Sequence, residues 1–132
     1  MLTPRGLFGF GPSSIGVLLA LLVFVAFPSS SALAIPKCAT PQLDGGTAFP
    51  FDAYVHLFTT TAGATIFYRF SEYAPPSAPT HSGSTATGGT LTYTGVTFII
   101  PVGEYGYWKA VAYKPGYADS NIADLSIDNT GN

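Results

Sequence analysis

Charge is the scarcest commodity in this chain. Only 9% of its 132 residues are Asp, Glu, Lys or Arg, five basic against seven acidic. Phosphate backbones are held by clustered Lys and Arg, and no such cluster occurs, so a nucleic-acid partner is excluded. Cysteine is nearly absent as well. Cys38 stands alone, which rules out an internal disulfide and any zinc site built on paired cysteines. Histidine is limited to His56 and His81, too few for a metal cluster by spacing. No D-x-[DN]-x-[DN]-G calcium loop is present, although Asp119, Asp124 and Asp128 could in principle gather around calcium. No cofactor is implied. The G-x-S-x-G turn of a serine hydrolase is missing too. His81 sits in a loop where a preorganised base is hard to hold, and His56 lies mid-strand. An enzyme is therefore not expected.

What the chain has in quantity is Gly (15), Pro (11), Phe (10) and Tyr (8). Such a mixture suits short strands joined by turns and is poor in helix formers. The first 34 residues read differently. Arg5 is their only charge, followed by the apolar run Ile15 to Phe27, small polar residues Pro28 to Ser31, and Ala32-Leu33-Ala34. A positive start, a short apolar stretch and an A-x-A-like ending are the pattern of a secretory signal peptide, with an apolar helix. The run falls short of the ~20 residues that a spanning helix needs, so cleavage after Ala34 is expected, with no membrane span remaining. Ile35 to Asn132 is then a single domain of roughly 100 residues, large enough for one core. Cys38 lies three residues beyond the position that a lipid-anchored cysteine occupies after cleavage. It reads as an ordinary thiol.

Strands are expected at Ala53 to Thr60, Ala64 to Phe70, Leu91 to Tyr93, Val96 to Ile100, Tyr105 to Lys114 and Ile122 to Ile127, with a short one near Gln42-Leu43. Alternation assigns their faces. Ala53, Val55 and Leu57 share one side, as do Ile66, Tyr68 and Phe70. In the strongest strand Trp108, Ala110 and Ala112 form the small-and-large mixture of a core, while Tyr107, Lys109, Val111 and Tyr113 face the other way. Pro115-Gly116 supplies the φ values of a type II turn, so Lys114 to Ser120 is a corner between strands. The segment 71–90, with Pro75, Pro76, Pro79 and a Ser/Gly/Thr run, is expected to be a flexible loop without regular structure. About seven short strands with no helical pattern after residue 34 predict an all-β fold, a small antiparallel sandwich.

Three stretches carry a resemblance. They are Ala62-Gly63-Ala64-Thr65-Ile66-Phe67-Tyr68, Leu91-Thr92-Tyr93-Thr94-Gly95-Val96-Thr97, and Lys109-Ala110-Val111-Ala112-Tyr113-Lys114-Pro115-Gly116-Tyr117-Ala118-Asp119-Ser120. In order and spacing they resemble the chitobiase/β-hexosaminidase C-terminal-type module, also called the fibronectin-III-associated repeat. The likeness covers Ala39 to Ile127. It implies an immunoglobulin-like β-sandwich of exported, mostly bacterial proteins, a non-catalytic appendage beside glycosidases or adhesins. The chain departs from that pattern at Arg69-Phe70-Ser71-Glu72, where the family has an Asp-Gly turn.

The expected function is a secreted, non-enzymatic module binding at the cell surface, outside the cell or in the periplasm. Its partner would be a polysaccharide or another surface protein. Tyr107, Lys109, Tyr113 and Tyr117 are the candidate binding surface, since exposed aromatic rings stack on sugars or cover protein contacts. A self-associating structural or fibre subunit is the second reading, favoured by low charge and many aromatics.

Overall fold

The computed structural model describes residues 33–46 and 49–131. The leader expected over 1–34 therefore lies almost wholly outside the described residues. Ile35–Asn132 forms one compact unit, and its described part is all-β, with nine strands and no helix. No described helix is long and apolar enough to cross a membrane.

One sheet holds three strands in the order β1 (Gln42–Asp44), β2 (Ala53–Phe58), β7 (Phe98–Ile100). A second holds four, in the order β6 (Leu91–Thr92), β3 (Thr65–Ser71), β8 (Tyr105–Tyr113), β9 (Ala123–Asp128). All pairings are antiparallel. The alternation read from the sequence sets the inner faces. Ala53, Val55 and Leu57 of β2 and Ile100 of β7 meet Ile66 and Tyr68 of β3, Trp108 and Ala110 of β8, and Ala123 of β9 in one cluster. Residues of both sheets thus share a single core, a sandwich-like arrangement. Trp108 lies at its centre, 1% exposed, with Phe70 and Phe98 rings at 5.0 and 5.3 Å.

Gly106 makes room for that indole. A methyl group on Gly106 would come within 2.7 Å of both Ile100 Cδ1 and Trp108 Cη2, closer than packed carbon atoms tolerate. The corner expected at Pro115-Gly116 is present. Tyr117 N–H donates to Lys114 C=O at 3.0 Å, and Gly116 has a φ of +81°, the left-handed value that glycine adopts without strain.

The segment 71–90 departs from expectation. Instead of lacking regular structure it carries a hairpin, β4 (Thr80–Ser82) against β5 (Thr85–Thr87). The cause is long-range bonding, which a Ser/Gly/Thr composition does not advertise. Arg69 of β3 donates to Gly88 C=O, to Ser77 Oγ (2.9 Å) and to Thr90 Oγ1 (3.3 Å). The buried Thr90 hydroxyl also accepts from Thr80 N–H at 2.8 Å, closing the base of the loop.

Candidate functional site

The outer face of the four-stranded sheet divides into a covered and an uncovered part. The hairpin covers the half near Tyr113. His81 of β4 stacks on Phe67 of β3 with ring centroids 4.7 Å apart and planes 13° from parallel. Tyr113 lies 5.1 Å from the same imidazole. Phe67 and its register partner Val111 are buried on this outer side, so the sheet packs on both faces here. The sequence placed His81 in a loop too loose to hold it. In the fold it is almost enclosed: Nδ1 contacts Gly83 C=O and Nε2 contacts Asp119 Oδ2, each at 2.8 Å. With both ring nitrogens engaged, His81 is a structural clasp rather than a free base.

The four candidate surface residues do not form one continuous platform. Tyr113 lies under the hairpin. Tyr117 sits at the corner beneath the Lys114 ammonium, 4.7 Å from its ring centroid. Lys109 pairs with Asp124 of β9 at 3.1 Å, opposite it in the register. Only Tyr107 lies at an open concavity, a shallow pocket of about 150 Å³ lined by Pro75, Tyr107, Trp108, Asp124, Leu125 and Ser126.

Beside it Tyr105 stacks on Tyr107, centroids 6.0 Å apart and planes within 14°. Two residues apart on β8, the rings project from the same face. Reading the sequence missed Tyr105, Pro75, Asp124 and Ser126. Tyr105 had a signal, since it shares the parity of Tyr107. The others depend on which strand and loop lie alongside, and that is fixed only by the pairing of β8 with β9.

No described group of three or more His, Cys, Asp or Glu side chains is placed to hold a metal. His56 Nε2 lies 2.9 Å from Thr97 Oγ1. Asp128 is held below the usual carboxylate range by the hydroxyl and amide of Thr130, so it stays ionised to low pH.

Cys38 is buried, and its backbone N–H donates to Ala118 C=O at 3.0 Å. Burial pushes the thiol up, the Asp119 charge adds to this, and Lys114 partly opposes it. The reactive thiolate is correspondingly depleted at neutral pH. A disulfide reagent at pH 8 is expected to label the native chain at least about tenfold more slowly than the urea-unfolded chain; equal rates would show the thiol exposed. The raised value also fixes a sign for stability. The contribution is complete below the unfolded thiol's range and is lost as pH rises through the folded value.

A second surface feature lies at the end of the molecule where β8 begins. Asn129, wholly buried, donates from Nδ2 to Phe51 C=O (3.0 Å) and Ile100 C=O (2.9 Å) and accepts from Phe49 N–H. This brings Phe49 and Phe51 to the end of β9, and Val102 N–H, donating to Asp52 Oδ1 at 3.2 Å, joins the same end of the three-stranded sheet. These three and the cross-strand pair Tyr54 and Ile99 all keep much of their surface in solvent. Comparison of the chain with protein-family models, curated proteins and solved structures finds no match in any of the three.

Proposed function

We propose that the chain is a secreted, non-catalytic, immunoglobulin-like β-sandwich module that holds a saccharide at the cell surface. The observation that carries this reading is the stacked Tyr105/Tyr107 pair at the edge of a pocket bearing Asp124 and Ser126. A sugar ring presents an apolar C–H face and a rim of hydroxyls. The tyrosine rings match the face, and the carboxylate and hydroxyl match the rim. The resemblance to the chitobiase C-terminal-type module supports the same reading, since its three stretches fall on β3, β6 and its following turn, and β8 with its corner. Export rests on the pattern of residues 1–34.

The exposed edges favour a binding module over a fibre built by strand addition. β1 and β7 have three residues each, bounded by Pro41 and Pro101, and β6 has two. The longest edge, β9, carries Asp124 and Asp128. Short edges, flanking prolines and charges are the devices that block edge-to-edge pairing.

Retention of Ile35–Asn132 on insoluble chitin, cellulose and peptidoglycan tests the proposal. Binding to at least one is expected, weakened about tenfold or more when Tyr105→Ala and Tyr107→Ala are combined, as losing one to two kcal/mol of ring stacking implies. Tyr113→Ala serves as the contrast, because that ring packs against His81 and should leave retention intact in folded protein. Failure to bind any of the three polymers would remove the saccharide reading.

A further inference from the structure

The two ends of the sandwich differ in charge, and the difference is complementary. At the end where β8 begins lie the exposed apolar side chains Phe49, Phe51, Tyr54, Ile99 and Val102, with Phe51 69% exposed. The carboxylates around them are Asp52, Glu72, Glu104 and Asp128. The imidazole of His56, two residues along the same face from Tyr54, is engaged by Thr97 at 2.9 Å, and no described Lys or Arg lies at this end. At the end where β8 finishes stand Lys37 and Lys114 beside exposed Ile35, Pro36 and Pro115. Backbone bonds from Ala118 to Pro36 and from Cys38 to Ala118 hold this cluster together. Its one described carboxylate, Asp119, is engaged by His81. Arg69, Asp44 and the Lys109–Asp124 pair lie between the ends.

An apolar face ringed by one sign of charge calls for an apolar partner of the opposite sign. The chain itself carries one at its other end. We propose that the Phe51/Val102 end docks onto the Lys37/Lys114 end of a second copy, head to tail. Contact of this heterologous kind does not close on itself, so it produces open chains of domains rather than a symmetric dimer. The Tyr105/Tyr107 stack borders this end, since Tyr105 follows Glu104 and pairs with Asp128, but the proposed contact does not depend on what those rings bind. Cleavage after Ala34 would place an α-amino group at Ile35 and add a positive charge to the receiving end. The faces are small, so each contact is weak and sensitive to salt.

Sedimentation equilibrium of Ile35–Asn132 tests this up to about 1 mM, at low and high salt. Open-ended association is expected, weakening about tenfold or more as salt is raised. Two charge-reversed variants supply the decisive comparison, Glu72→Lys/Glu104→Lys and Lys37→Glu/Lys114→Glu. None of the four side chains is buried in the core. The Lys37→Glu/Lys114→Glu variant should stay monomeric, because both of its ends are then acidic. The Glu72→Lys/Glu104→Lys variant, whose altered end becomes neutral, should associate more weakly than wild type. Mixing the two should restore pairing through the unaltered acidic end of one and the unaltered Lys37/Lys114 end of the other. A wild-type monomer at low salt and the highest concentration would overturn the proposal. So would association that survives in the Lys37→Glu/Lys114→Glu variant alone, since that means pairing of two apolar ends. Val102→Asn removes apolar area at an exposed turn position without adding charge, and undiminished association there would likewise overturn the proposal.

Discussion

Trp108→Ala is expected to destabilise the domain by about 3–5 kcal/mol, the range for truncating a large aromatic in a closed core. Whole domains of this size are stable by only about 5–15 kcal/mol, so the variant should lose a large share of its stability. The magnitude follows from position. Trp108 is 1% exposed, bridges the two sheets, and touches Phe70 and Phe98. Trp108→Phe separates packing from hydrogen bonding, because the indole Nε1 is buried without a partner among the described residues. Phenylalanine removes that unsatisfied donor, which offsets part of the lost volume and should keep the cost below about 2 kcal/mol. Urea denaturation followed by circular dichroism, which does not rely on tryptophan emission, measures both. An alanine variant as stable as wild type would mean that the indole does not join the sheets.

The second large effect is expected at Asn129. Alanine there removes one acceptor and two donated bonds, stranding Phe49 N–H and the carbonyls of Phe51 and Ile100. Buried groups without partners cost about 1–3 kcal/mol each, less where water enters, so a total of about 3–5 kcal/mol is expected. The loss should be local before it is global. Asn129 also bonds through its backbone to Gly103 and Glu104, so it ties the end of β9 to the segments on either side of β2 and β7. Faster amide exchange at Phe49 and Gly103, ahead of the β3 and β8 amides, is the signature. Uniform exchange across the sheet would show instead that the residue acts only through global stability.

The strands were legible in the sequence because alternation is a local signal. Ala53, Val55 and Leu57, or Trp108, Ala110 and Ala112, declare a buried face within five residues, and the structure buries all six. Pro115-Gly116 declared its turn for the same reason. What could not be read depends on partners far along the chain. Asn129 meets Phe49 across 80 residues, and His81 meets Asp119 across 38. Arg69 organises a Gly- and Ser-rich segment whose composition alone predicts disorder. The candidate face was half legible. Tyr107 was placed by parity, but the side chains that turn it into a pocket come from β9 and from the loop at Pro75. Tyr113 has the same parity and was lost to the hairpin above it.

That hairpin also acts as a ruler. With the Tyr113 half of the outer face roofed over, the free aromatic strip on β8 runs only from Tyr105 to Tyr107, about 7 Å along the strand. A polymer laid on it can engage a ring or two before meeting the loop at Pro75. Under the saccharide reading proposed above, tight grip of a long chain of sugars is therefore not available to one domain. Any strength must come from several domains engaging the same polymer at once, so that occupancy depends on how densely they are arrayed rather than on the fit of each one.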